Sequence, residues 1–416
     1  MLIRDIIITP LAFRDPPLLN AAGLHEPLAL RTVVQLVLDD GVVGLGEGRG
    51  GLQVLERLRA VAPSVIGLSV LDLQGIERAV DTTLGGDGGG VSRQDRRVIF
   101  APLEVAALDA QGKLFGVPVC DLLGGAVRDE VPFAGYLFYK WAGHPNPSSG
   151  RSGSTDAWGE ALDPEGIVEQ ARQLVAADGY RSLKLKAGVF PPEQEIAAIR
   201  ALRDAFPDHP LRIDPNGAWT HETSLHVAEE IGDLLEYLED PVLGIDGMSA
   251  VHAATGLPLA TNMCVVAFEH LAESVAKDAV QIILGDHHYW GGLRHTQELG
   301  AICRSFGIGM SMHSNSHLGI SLAAMTHVAA ATPAIEHACD THYPWNRADD
   351  VVRPGVLEFR EGSLRVPRAP GLGVELDPDA LARQHEVFLA SGRTERDDAT
   401  YIRRFDPTFD PALPRF

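Results

Sequence analysis

LRIDPNG at 211–217, EYLEDPV at 236–242 and PLATNM at 258–263 decide the fold. Each is a short apolar run that ends in an oxygen-bearing side chain, Asp214, Glu239 and Asn262 in turn. The steps between these residues are 25 and 23 positions. That is about the length of one strand, one helix and two loops. The same phase continues in both directions. Upstream stand SLKLKAG (182–188), whose Lys184 lies 30 residues before Asp214, and VPFAGYLFY (131–139). Downstream come VQIILGD (280–286), GIGMSMHS (307–314) and AIEHACD (334–340), with Asp286 and His313 adding steps of 24 and 27. Eight strand candidates alternating with amphipathic helices imply a parallel sheet with right-handed crossovers, and eight such units close into a barrel. The structural rival is a doubly wound open sheet, which holds its ligand at a switch point. No Walker loop supports it, and the one GxGxxG match, GEGRGG at 46–51, lies ahead of the alternating strand–helix region.

In a barrel the C-terminal strand ends share one mouth, where barrel enzymes keep their chemistry. Three oxygen donors from adjacent strands, Asp214, Glu239 and Asn262, then suit a hard cation such as Mg²⁺. Lys184 and Lys186 are two apart on one strand, so both point into that mouth. Mutual repulsion beside a cation is expected to lower one lysine from about 10.4 to about 7, leaving a neutral amine able to act as a base. His313 ends the seventh run and Asp286 the sixth. A carboxylate on the neighbouring strand can fix a histidine's tautomer and stabilise its protonated form. His287 and His288 are adjacent, would face opposite ways on a strand, and are read as structural. Lys186 and His313 then approach a substrate from opposite faces. A metal-dependent amidohydrolase would want His-x-His on the first strand, which this chain lacks.

The first 125 or so residues read as mixed α and β. RTVVQLVL (31–38), the turn DDG and VVGLGEG form a hairpin, and APLEVAALDAQGKLFG (101–116) forms a helix with small residues on one face. LGGDGGG (84–90) and NPSSGRSGSTDA (146–157) are too rich in Gly, Ser and Pro for element interiors and are candidate lids or plain connections. The net charge of −21 supplies no basic field for nucleic acid or an anionic membrane surface. Four widely spaced cysteines and a start without a signal-peptide pattern point to a reduced, cytoplasmic setting. No apolar stretch approaches a membrane span.

Several stretches together resemble the enolase superfamily, mandelate racemase subgroup, and within it the glucarate dehydratases. They are DPPLLNAAGLHEP (15–27), KLK (184–186), RIDPNGAW (212–219), LEDP (238–241), LATNM (259–263), DHHYWGG (286–292), HSNSH (313–317), PGLGVELD (370–377) and RDDA (396–399). The resemblance implies an α/β fold, a modified (β/α)₇β TIM-like barrel with an N-terminal α+β capping domain. The domains would run 1–128 (cap), 129–355 (barrel) and 356–416 (a segment returning to the cap). It implies Mg²⁺ on Asp214, Glu239 and Asn262. Lys186 would be one base, tuned by Lys184, and the His313–Asp286 dyad the other base and the acid for the departing hydroxide. Asn216 and Asn315 would lie in the active site. Asn20, His25 and Tyr136 would contact substrate, and Arg396 its distal carboxylate. The implied reaction is dehydration of D-glucarate to 5-dehydro-4-deoxy-D-glucarate, with L-idarate as epimeric substrate. The partner is a dicarboxylic acid sugar, and a homo-oligomer is expected. The stretches around 84–98 and 146–157 do not match the family pattern. Action on another hexarate such as galactarate, epimerisation without elimination, and a non-catalytic sugar-acid binder remain the alternatives.

Overall fold

In VGLGEGR the glycines fall at alternate positions, 44, 46 and 48, so one face of the strand carries no side chain. The computed structural model, which describes residues 1–86, 90–145 and 156–416, shows what occupies that bare face. A helix lies so close that a Cβ at Gly44 would stand 2.0 Å from the Ala106 carbonyl oxygen, and one at Gly46 2.0 Å from that of Pro102. Strands β1 (Ile3–Arg14), β2 (Leu28–Leu38) and β3 (Val43–Arg49) form an antiparallel sheet in that order. Helices α1 (Leu52–Val65), α2 (Leu73–Leu84) and α3 (Arg93–Phe115) follow. The expected DDG hairpin joins β2 to β3, with Gly41 at φ 88. Helix α3 begins earlier than its small-residue face suggested, because Ser92 caps it by accepting the Asp95 amide. Residues 87–89 of the first candidate lid and 146–155 of the second lie outside the described residues.

The barrel strands are β4 (Gly135–Phe138), β5 (Leu183–Lys186), β6 (Leu211–Asp214), β7 (Leu235–Glu239), β8 (Leu259–Thr261), β9 (Ile282–Gly285) and β10 (Gly309–Met312). They form one parallel sheet in sequence order. Helices α4 (Pro164–Asp178), α5 (Pro192–Ala205), α6 (His221–Ile231), α7 (Gly244–Thr255) and α8 (Phe268–Ala276) make the crossovers up to β9. A short turn, α9 (His287–Trp290), and α10 (Leu293–Phe306) lead from β9 to β10, and α11 (Gly319–Ala331) follows β10. Helix α11 is buried along its whole length, which its Ala-rich, unpatterned sequence allows.

The eighth run, 334–340, does not become a strand. The amides of Glu336 and His337 both turn to the Met310 carbonyl, so two residues oppose one and the ladder breaks. Isolated bridges, Met310 with Ile335 and Phe133 with Cys339, close the gap between β10 and β4. The barrel is therefore seven strands and a bridging segment, and that segment carries Asp340 inward, its amide bonded to the Met312 carbonyl.

The C-terminal residues pack back on the sheet of β1–β3. Helix α12 (Pro378–Ser391) lies along β1, with His385 Nδ1 donating to the Pro10 carbonyl at 2.8 Å. Helix α13 (Asp398–Arg403) follows it. A Cβ on Gly23 (φ 139) would fall 2.6 Å from the Asp398 carbonyl oxygen. The chain after residue 395 thus clamps the loop that bears Asn20 and His25. No helix among the described residues is long and apolar enough to cross a membrane.

Candidate active site

Strand register sets the site. Tyr136 pairs with Lys184, Phe138 with Lys186, and Lys186 with Asp214, so successive inward side chains fall in shared layers. Both lysines are buried in the barrel. Lys184 Nζ donates to Glu239 Oε1 and Asp340 Oδ2, each at 2.7 Å, and stands 3.3 Å from Asp214 Oδ2. Lys186 Nζ donates to Asp214 Oδ2 at 2.6 Å. Both ammoniums lie over the Tyr136 ring, at 4.8 and 6.0 Å from its centroid.

The expected lowering of a lysine beside a cation is set against the pull of three carboxylates. Burial alone pushes both down, but Asp340 and Glu239 hold Lys184 well above its ordinary value, and Asp214 raises Lys186. The two lysines do not repel across empty space, because three carboxylates stand among them. Asp214 is correspondingly held low: burial opposes its charge, and Lys186 and Lys184 more than offset it. Burial and the neighbouring Asp214 carboxylate push Glu239 well up.

The oxygen donors fit a hard cation. Asp214 and Glu239 have carboxylate oxygens within 4.8 Å of one another, and Glu239 Oε2, though 2.7 Å from Lys184 Nζ, makes no aligned hydrogen bond. Asn262 places its side-chain nitrogen 3.3 Å from Glu239 Oε1, so its amide borders the same spot. Asp240 comes equally near, but its oxygens are taken by the Thr261 hydroxyl and the Asn262 amide. It buttresses the end of β8. Asn216, at φ 52, donates to Asp214 Oδ1 at 3.1 Å and orients that carboxylate.

On the far side of the barrel, His313 Nδ1 lies 3.0 Å from Asp286 Oδ2. Asp286 is held well below the usual carboxylate range; burial opposes this, and His288 and His313 outweigh burial. An ionised Asp286 accepts from Nδ1, so His313 Nε2 is the ring nitrogen left for a ligand. His287 and His288 lie on a helical turn rather than on a strand. Asp286 caps the short turn α9, which brings His288 Nδ1 back to 2.9 Å from Asp286 Oδ1. A metal on Asp286, His287 and His288 is disfavoured, because the Asp286 oxygens and both His288 nitrogens are already bonded. Asn315 donates to the Tyr289 hydroxyl at 3.3 Å.

A cavity of about 1310 Å³ joins these groups. Lys186, Asn216, Asn262, Asp286, His313 and Asn315 line it from the barrel, with Tyr136 at its floor. Asn20, His25 and Arg396 line it from the cap and tail, and Gln94 and Asp95 of α3 border it. Asn20 Oδ1 accepts the amides of Ala22 and Gly23, which turns its nitrogen toward His25 Nε2 at 3.1 Å. His25 must then carry its proton on Nδ1 and donate to Asp15, at 3.1 Å. Arg396 is already paired with two carboxylates. It makes a fork to Asp398 at 2.7 and 2.8 Å and a bond to Asp15 at 2.7 Å.

Three buried participants were not singled out from the sequence. Asp340 could have been found, because it lies 27 residues after His313, one more step of the repeat. His342, bonded to Ser314 Oγ at 2.9 Å and facing the cavity, follows it by two. Arg31 gave no signal, since a lone charge in a β-rich run reads as solvent-facing.

Two family descriptions match the chain: mandelate racemase / muconate lactonizing enzyme, N-terminal domain, over residues 8–124, and enolase C-terminal domain-like, over residues 166–380. A probable glucarate dehydratase of Streptomyces coelicolor is 51% identical, covering 100% of this chain and 99% of that protein. D-xylonate dehydratase of Haloferax volcanii is 27% identical over 88% of this chain and 87% of its own. Among solved structures, an enolase from Thermobispora bispora complexed with magnesium and formate superposes with a TM-score of 0.96 at 56% identity, covering 100% of both chains. An enolase from Mycobacterium smegmatis complexed with tartrate gives 0.96 at 55%, covering 100% of this chain and 98% of that one.

Proposed function

Because the chain belongs to the enolase superfamily, mandelate racemase subgroup, we propose that it is a Mg²⁺-dependent acid-sugar dehydratase that converts D-glucarate to 5-dehydro-4-deoxy-D-glucarate, with L-idarate as the epimeric substrate. The observation that carries the reading is one cavity lined by Lys186 and His313, from opposite sides of the barrel, and by Asn262, with Asp214 bonded to Lys186 and Glu239 to Asn262 behind that lining. The 51% identity to a probable glucarate dehydratase supports the substrate class.

Asp214, Glu239 and Asn262 would hold the cation, which supplies charge stabilisation to a carboxylate whose neighbouring carbon loses a proton. With Asp214 and Glu239 so engaged, their charge no longer holds the lysine protons, and Lys186 can serve as a base. Lys184, fixed by Asp340, keeps a positive charge beside the substrate carboxylate. His313 takes the carbon-bound proton on Nε2 while Asp286 stabilises the imidazolium. The electron pair from the broken C–H bond forms the C=C bond, and the hydroxyl on the next carbon leaves with a proton from His313. The resulting enol tautomerises to the 2-oxo product, with net loss of one water. Each base contributes roughly 10²–10⁴ in rate.

The test is D-glucarate with Mg²⁺, following 2-oxo-acid formation with semicarbazide. Turnover is expected. A folded, metal-loaded protein inert toward glucarate, idarate and galactarate overturns the reading. The two-sided placement of bases also favours epimerisation as a second reaction. Proton NMR in D₂O separates the two, since epimerisation exchanges the proton without loss of water.

A further inference from the structure

His313 is joined, through an unbroken chain of hydrogen bonds, to a carboxylate of the capping sheet. Glu47 on β3 accepts the amides of Leu318 and Ser321 and the Arg31 Nε at 2.9 Å. Arg31, on β2, donates from Nη2 to His288 Nε2 at 2.7 Å and to Ser321 Oγ at 3.2 Å. His288 Nδ1 meets Asp286 Oδ1, and Asp286 Oδ2 meets His313. Glu47, Arg31, His288, Asp286 and Ser321 are all buried.

The chain permits one proton assignment. A guanidinium only donates, so His288 Nε2 must accept and its proton must sit on Nδ1. The Ser321 hydroxyl, 3.0 Å from the same Nε2, is free to donate as well. His288 is therefore a neutral imidazole donating to Asp286. A doubly protonated ring would set a donor against a donor and a charge against Arg31. Burial and Arg31 both push His288 down, in the same direction as this assignment.

We propose that Arg31 and His288 are positioning residues through which the capping sheet sets the protonation of the His313–Asp286 pair. Asp286 divides its charge among three N–H donors, the amide and Nδ1 of His288 on Oδ1 and Nδ1 of His313 on Oδ2. The His288 donors are permanent, so only part of the carboxylate's charge acts on His313. A carboxylate serving His313 alone would hold that proton more tightly. The surrounding groups agree. His288 faces Arg31 and Glu47 from the cap strands, Ser321 from α11, and the tilted ring of His287 at 3.9 Å between centroids. His317, from the loop after β10, is pushed to about 4 by burial and adds no charge near neutral pH. His313 itself faces Tyr289, the buried and neutral His342, and Lys186 across the cavity.

The inference rests on His313 being a proton-transfer group, but its readout is spectroscopic. In Mg²⁺-loaded protein labelled with ¹⁵N-histidine, His288 is expected to show a protonated Nδ1 and a bare Nε2, unchanged from pH 5 to 9. His313, assigned from the signal lost in His313→Asn, is expected to titrate. In His288→Phe its midpoint should rise by on the order of one pH unit, and the acid limb of any activity profile should rise with it. Arg31→Met should make His288 titrate within the range, and if that variant does not fold, the wild-type tautomer and His288→Phe still decide. Titration of His288 in the wild type, or an unmoved His313 midpoint in His288→Phe, overturns the proposal. Inactivity on every hexarate with these spectra as expected overturns the substrate reading and leaves this one standing.

Discussion

Lys184 and Asp340 meet at 2.7 Å inside the barrel, both fully buried, and the second carboxylate on the same ammonium is Glu239. Asp340 thus frees Glu239 to serve a cation without leaving Lys184 unpaired. Removing one partner of a buried pair costs about 3–5 kcal/mol, because the other charge is stranded. Asp340→Ala should lose stability of that order in urea unfolding, and Asp340→Asn less. A loss under about 1 kcal/mol in Asp340→Ala would show that Glu239 alone satisfies Lys184.

A divalent ion should stabilise the fold through Asp214 and Glu239. A ligand at a hundredfold its dissociation constant adds about 2.7 kcal/mol. Thermal unfolding in Mg²⁺ should exceed that in EDTA by several degrees, and Glu239→Gln should abolish the difference. The metal-free fold should persist, because Lys184 and Lys186 already compensate the carboxylates. Unfolding in EDTA at room temperature would contradict this.

Much of the site was legible because barrel strands impose a phase: Asp214, Glu239, Asn262, Asp286 and His313 recur at strand-end spacing, and the lysines share an alternation. The behaviour of Lys184 and Lys186 was not legible, since it depends on Asp340, carried in by a segment whose ladder is broken at Met310. The use of His288 depended on Asp286 ending a strand and capping a turn in one residue. Arg31 reaches the site only because the sheet of β1–β3 docks on the barrel, a contact distant in sequence and without periodicity. The fold of the cap was legible in part: the hairpin of β2 and β3 and the helix at 101–116 were, while the close approach of α3 to Gly44 and Gly46 was not, being a contact distant in sequence.

The two bases should separate by substrate. His313→Asn should lower D-glucarate dehydration by about 10³ or more, while Lys186-dependent proton exchange persists on L-idarate. Lys186→Ala should do the reverse. Exchange measured by NMR in D₂O checks both, and a His313→Asn enzyme near wild-type rate on D-glucarate would reject the assignment.

Acid stability should depend on Glu236 at the other end of the barrel. Burial raises its carboxyl, but the His337 bond at 2.9 Å and Arg212 at 2.6 Å overcome this and hold it at about 2. A depressed folded value gives stability that is complete above the unfolded value, near 4.5, and lost as pH falls toward 2. The contribution is at most about 3 kcal/mol. Glu236→Gln should be less stable than wild type at pH 7, with the gap closing between pH 4.5 and 2. A gap independent of pH would assign the loss to packing.

The distal carboxylate of a hexarate should be met by Arg49 rather than by Arg396. Asp15 and Asp398 together outweigh the Arg396 charge, and the Nδ1–H tautomer of His25 adds none. An incoming carboxylate there meets a net negative cluster. Arg31, Arg57 and Lys186 are likewise paired with Glu47, Asp95 and Asp214. Among the described Lys and Arg residues that line the cavity, Arg49 alone has no carboxylate partner. It is exposed and stacks over Tyr289 at 5.2 Å from the ring centroid, beside His313 and Asn315. A charge-assisted bond of about 1.5–3 kcal/mol corresponds to a loss on the order of 10–100-fold. Arg49→Gln should therefore raise KM for D-glucarate by that factor with kcat little changed. Its binding of D-gluconate, which lacks the second carboxylate, should be unaffected. An unchanged KM in Arg49→Gln, together with a folded Arg396→Gln that loses selectivity for the dicarboxylate, would return the role to Arg396.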